Sequence, residues 1–102
     1  MLSPAKHSTA LQLSFVRTEL ETGHRMLALA GKQRDLLEHD AAAQSLSMAW
    51  LALSGAENHL AAVKLPRREA KQILPEVREL RRRIAAFDLK RAQTLHYSSA
   101  AF

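Results

Sequence analysis

The sequence predicts an all-α fold, an antiparallel three-helix bundle, on three observations. Leu and Ala dominate a composition with only three Gly, three Pro and 5% aromatic residues, which suits helices and lacks the β-branched and turn residues a sheet would want. Apolar residues recur at steps of three and four along successive stretches, the period of one helix face. The joints between those stretches are short, and short joints force neighbouring helices to run antiparallel. The expected helices span approximately 8–30, 35–63 and 66–95, the last kinked at Pro75. They form one domain over 1–102 with short disordered termini, and dimerisation is an alternative way to complete the bundle.

The first helix is expected to start at a Ser8 or Thr9 cap, whose hydroxyl can take an orphan amide. Leu13, Val16, Leu20, Gly23, Leu27 and Ala30 form its core stripe. Gly23 costs roughly 1 kcal/mol in mid-helix relative to Ala, and close approach of a neighbouring helix would offset that. A second apolar strip of Leu11, Phe15, Met26 and Leu29 lies about 100–150° round the wheel. The charged face is left to Arg17, Glu21 and Arg25.

Gly31 suits the left-handed position after a helix end. Asp35 and Glu38, three residues apart, then read as a capping box for the second helix. An uninterrupted helix through Glu38, turning at His39-Asp40, is the competing boundary. The second helix organises the chain. It carries no charge between Ala41 and Ala56, and Leu46, Ala49, Leu53, Ala56, Leu60 and Val63 make its stripe. Trp50, the one tryptophan, flanks the stripe, while Met48, Leu51 and Ala52 spread apolar surface further round. A helix so poor in charge needs cover on more than one side. Ser45, Ser47 and Ser54 are expected on its polar arc, and Glu57 beside the seam wants a cation, with Arg67 or Lys71 across the turn as the expected partner.

Pro66 fits the first turn of the third helix. Its stripe is Ile73, Val77, Leu80, Ile84 and Phe87, with Leu95 on the same side. No capping residue precedes Pro75, which favours one helix over two. The tail from His96 to Phe102 is expected to fray.

Charge and composition bound the function. Residues 1–63 hold five Lys/Arg against six acids, and residues 64–102 hold ten against four, so the net +5 belongs to the last third. Absence of cysteine excludes disulfides, thiolate metal sites and a Cys nucleophile. Met1–His7 lacks the apolar run of a signal peptide, and the uncharged segment 41–56 is too short and polar to span a bilayer, which needs ~20 apolar residues. A cytoplasmic protein that avoids membranes is expected.

Three functional surfaces follow, with no catalytic residue or cofactor assigned. The first is a protein interface, Leu11, Phe15, Met26 and Leu29, for a partner or a second copy, since the apolar face exceeds what a lone three-helix monomer easily hides. The second is a basic ridge of Arg67, Lys71, Arg78 and Arg82, spaced 4, 7 and 4 residues along about 22 Å of helix. It would suit phosphates of nucleic acid or an acidic protein surface. Glu79 and Arg83 are spaced for an ion pair beside it. The third is a metal-dependent bundle enzyme around the Glu-x-x-His pair Glu21 and His24. Metal sites of that kind need two such pairs, and one is present.

Overall fold

The computed structural model describes the backbone of residues 4–100 and the side chains of residues 10–90. It contains three helices, α1 (Pro4–Asp35), α2 (His39–Ala62) and α3 (Arg67–Ala100). They run up, down and up, giving the three-helix bundle the sequence predicts. α1 and α3 are longer than α2 and overhang it at opposite ends, so the molecule measures 67 × 19 × 17 Å.

The core lies along the expected stripes. Val16, Leu53, Ile73, Leu80 and Ile84 are fully enclosed, and Leu20, Leu27, Leu46, Ala49, Ala56 and Val77 complete the cluster. Each large aliphatic side chain contributes roughly 1.5–3 kcal/mol by leaving water, far more than any exposed ion pair on this surface.

α1 and α2 pack closest to each other, and α3 sits on larger side chains. Residue size explains the difference. Ala30, Ala42, Ala49, Ala52 and Ala56 are buried. Gly55 leaves room for a side chain of α1: a Cβ there would come 2.7 Å from Glu19 Oε2, the tip of a flexible carboxylate. Between α1 and α3 the close approach is local, at Gly23, where a Cβ would meet Leu80 Cδ2 at 2.6 Å. Gly23 therefore does on the stripe what its position suggests: it makes room for a leucine from the neighbouring helix.

The joints differ from the expected boundaries. α1 starts at Pro4, so Ser8 and Thr9 lie inside the helix rather than capping it. Pro4 in the first turn gives up an amide that would be unpaired there anyway. α1 then continues past Gly31 to Asp35, and Gly31 has helical backbone, because no chain reversal falls there. The left-handed position is taken by Leu37, at φ 62°. Glu38 N donates to Gln33 O at 2.8 Å and Leu37 N to Arg34 O at 2.9 Å, the paired bonds of a Schellman motif. Asp35 is thereby the last residue of α1 and the capping box does not form. Glu38 precedes α2 with no side-chain cap.

α3 begins with the Pro66 carbonyl accepting from Ala70 N at 3.0 Å, which places Pro66 just ahead of the helix. The helix runs unbroken through Pro75. The ring there removes the amide that would bond the Lys71 carbonyl, and both residues are exposed, so water can satisfy that oxygen. The backbone stays helical to Ala100, beyond the expected end at 95 and through most of the tail expected to fray. The side chain of Leu95, and residues 1–3, 101 and 102, lie outside the described set. Among the described residues no helix is long and apolar enough to cross a membrane.

Two stability tests follow. A non-glycine residue in the left-handed region costs about 1–2 kcal/mol, and Leu37 is 75% exposed, so it has little packing to lose. Leu37→Gly is expected to stabilise the fold by about 1 kcal/mol, read as a raised midpoint in urea at unchanged slope. The glycines of α1 should respond oppositely. A Cβ at Gly31 meets only Phe87 at 4.0 Å, so Gly31→Ala is expected to gain about 0.5–1 kcal/mol of helix propensity. Gly23→Val is expected to lose about 1–3 kcal/mol, because enclosed Leu80 has nowhere to retreat.

Candidate functional site

Two sides of the bundle carry the residues of interest. The inter-helix contacts fix which side is which. Phe15 on α1 meets His59 on α2 with ring centroids 4.6 Å apart, and buried Ser45 donates from Oγ to Gln33 Oε1 at 2.7 Å. Ser45 therefore lies in the α1–α2 interface, not on the polar arc expected of it, while Ser47 and Ser54 are exposed as that arc requires. α3 seats itself against the other flank of both helices. Leu80 fills the space at Gly23, Arg17 Nη1 faces Glu76 Oε2 at 3.7 Å, and Arg83 Nη1 lies 3.1 Å from His24 Nδ1.

The α1–α2 hairpin is thus covered on one side by α3, and its other side is apolar. Leu11 and Leu29 lie about 120–140° round α1 from Arg17 and His24. Met48 and Leu51 lie about 100–180° round α2 from Trp50 and Glu57, which face α3. Leu11 is 60%, Phe15 47%, Met48 52% and Leu51 71% exposed, and Leu29 is partly exposed. Met26, the fourth residue of the expected interface, instead turns partly inward and packs against the core. Thr18 and Thr22 sit between the apolar residues of α1 and donate back to Ser14 O and Thr18 O, both at 3.0 Å. Their hydroxyls are therefore engaged within the helix, and their methyls extend the apolar strip. One carboxylate, half-buried Glu19, lies within this face, reaching across the α1–α2 seam to within 2.7 Å of where a Cβ on Gly55 would stand. Arg25, paired with Glu21 at 3.8 Å, marks one border.

The arginines of α3 divide into a ridge and two flanks. Arg67, Lys71, Arg78 and Arg82 are all exposed on the outer face. Arg82 is engaged by Glu79 through both oxygens, at 2.7 and 3.0 Å. Glu79 therefore pairs with Arg82, not with Arg83 as its spacing suggests, and the Arg82 guanidinium holds its carboxyl below the ordinary range. Arg67, Lys71 and Arg78 form no ion pair with any described residue. Arg81 turns to α2 and clasps Glu57 through two bonds, at 2.6 and 3.1 Å, with its guanidinium carbon 5.9 Å from the Trp50 ring centroid. Glu57 thus finds its cation in Arg81, not in Arg67 or Lys71. A residue more than two turns along α3 reaches it because α3 crosses back beside α2. The bidentate contact raises the Arg81 pKa above its ordinary value, so this clasp holds its positive charge at any physiological pH.

Two recesses open between α1 and α3. One, of about 450 Å³, is bordered by Arg17, Glu21, His24, Glu76 and Glu79 beside Pro75. It contains the Glu-x-x-His pair, but Glu21 is turned to Arg25 and His24 to Arg83. Among the described residues no three His, Asp or Glu side chains converge as a metal would require. The other recess, of about 300 Å³, lies at the C-terminal end of α1, with Leu27 and Gly31 facing Ala86 and Phe87 and a rim of Arg34, Arg82, Arg83 and Lys90. Sequence reasoning missed it, because Arg34 and Arg83 are brought together only by the register of α1 on α3. The chain matches no protein-family model, no curated protein and no solved structure.

Proposed function

We propose that this protein is a non-enzymatic helical interaction protein that binds through the apolar side of its α1–α2 hairpin, and that a second copy of the chain is the partner this side fits. One observation carries the reading: Leu11, Phe15, Leu29, Met48 and Leu51 stand exposed together on the side that α3 leaves uncovered. From Leu11 to Leu36 the strip is ~37 Å long and two helices, or ~20 Å, wide. That gives roughly 750 Å² per copy, close to the ~800 Å² per partner of a standard interface. A largely apolar patch can be its own complement across a two-fold axis, with the Glu19 carboxylate half-buried in the seam between its two helices. Pairing there also keeps the two basic α3 ridges on opposite outer surfaces, well beyond the ~8 Å screening length.

Sedimentation equilibrium over a range of concentrations tests the reading. The protein is expected to sediment as a dimer at high concentration. Phe15→Glu and Leu51→Glu, placed where side chains are exposed, are expected to weaken the dimer at least about tenfold while helical content by circular dichroism is unchanged. A monomer at every concentration would count against self-association.

A second reading is nucleic-acid binding by the ridge. What favours it is that Arg67, Lys71 and Arg78 are exposed on one face without acidic partners among the described residues. Gel-shift titrations with DNA and RNA across salt concentrations would show affinity falling steeply as salt rises, with a slope reduced by about one for each ridge cation removed. No shift at low salt would dismiss this reading.

A further inference from the structure

We propose that the recess between the C-terminal end of α1 and α3 binds the phosphate group of a small phosphomonoester, held between Arg34 on one helix and Arg83 on the other. Four cationic side chains border this recess of about 300 Å³, and the two central ones are poised in ways an ordinary solvated arginine is not. Arg34 is laid over Phe87 with its guanidinium carbon 4.7 Å from the ring centroid. Stacking fixes the plane of the guanidinium while leaving its edge donors directed outward. Its contact to a carboxylate is a single long one, Nη2 to Asp35 Oδ1 at 3.5 Å. Arg83 points across the helix gap to an imidazole nitrogen, His24 Nδ1 at 3.1 Å, and not to a carboxylate. Glu79, the nearest acid along α3, is already engaged by Arg82 through both oxygens.

The excess of positive charge and the planar donors suit a phosphate, whose oxygens can accept from guanidinia on two helices at once. The floor suits a small body attached to it. Leu27, Ala86 and the Phe87 ring are apolar, and Gly31 keeps the floor open, since a Cβ there would point at Phe87 Cε2 from 4.0 Å. The volume is at the lower limit of small-molecule sites, enough for one phosphate and a compact group and too little for a nucleic-acid strand. The site is separate from both the apolar hairpin face and the ridge cations Arg67, Lys71 and Arg78. Its success or failure is therefore independent of the function proposed above.

The test is a titration of the full chain with inorganic phosphate and with the phosphomonoester phenyl phosphate at constant ionic strength, followed by amide shifts in ¹H–¹⁵N spectra. Saturable shifts at Gly31, Arg34, Arg83 and Phe87 are expected. Arg34→Gln and Arg83→Gln each remove a charge-assisted contact and are expected to weaken binding about tenfold or more. Gly31→Leu keeps every charge but fills the floor, and is expected to weaken a phosphomonoester more than free phosphate. Arg78→Gln, on the outer ridge, is expected to leave affinity unchanged. Thermal melts establish that each variant is folded. Absence of saturable shifts up to about 10 mM ligand, an affinity too weak to serve a cell, would overturn the proposal. So would equal weakening by Arg78→Gln, which would indicate diffuse counter-ion attraction. Tighter binding of a single-stranded oligonucleotide at the same amides would overturn the small-ligand assignment.

Discussion

The close approach of α1 and α2 governs the rest of the structure. It depends on small residues in the interface, Ala30, Ala42, Ala49, Ala52 and Ala56, and on a part-buried hydrogen bond, Ser45 to Gln33. Small side chains let two helices meet with little volume between them, so the pair behaves as a flat, two-sided unit. A third helix can cover only one side of such a unit. α3 does so with branched side chains, Ile73, Val77, Leu80 and Ile84. The exposed leucines and Phe15 on the other side are the consequence of a tight hairpin with a single cover, not scattered surface residues.

Charge follows the same division. The hairpin is nearly neutral and α3 carries most of the positive excess. α3 uses three of its charged positions to hold itself in place: Arg81 on Glu57, Arg83 on His24, and Glu76 on Arg17. These contacts are largely exposed and individually weak. Their role is orientation. The aliphatic stripe fixes how deeply α3 sits, while the paired charges on its two flanks resist rotation of the helix about its own axis. Rotation by even one residue position would bury part of the ridge and expose the stripe.

Much of this was legible in the sequence, for a physical reason. Helix existence and core identity depend on periodicity, which is local, and all the stripe residues whose side chains are described face the core or pack against it, apart from the half-buried Val63. The joints were misread because glycine permits a left-handed turn without requiring one. Gly31 stayed helical, and Leu37 took the turn at a cost in backbone energy. The Asp35–Glu38 spacing matched a capping box whose first member was spent as the last residue of α1. The ion pairs were misassigned for a different reason. Glu57 with Arg81 and Arg83 with His24 depend on how far α3 slides along its neighbours, and no spacing within one helix records that offset. The same ignorance of register hid the recess at Arg34 and Arg83, although both residues were visible as cations.

The position of the strained turn connects these features. Leu36 and Leu37 are both strongly exposed, and Leu37 holds a conformation that glycine would adopt freely. Leu36 lies in line with the Leu11–Leu29 strip at helical spacing, so the exposed apolar surface continues into the joint. The conformation is held by the Schellman bonds from Leu37 N to Arg34 O and from Glu38 N to Gln33 O. A leucine at this place adds nothing to the core of one chain. Leu36, seven residues beyond Leu29, is the residue that extends the apolar side of the hairpin that α3 leaves open. The joint and the two helix faces therefore form one continuous apolar surface, the side of the hairpin that a single covering helix leaves open.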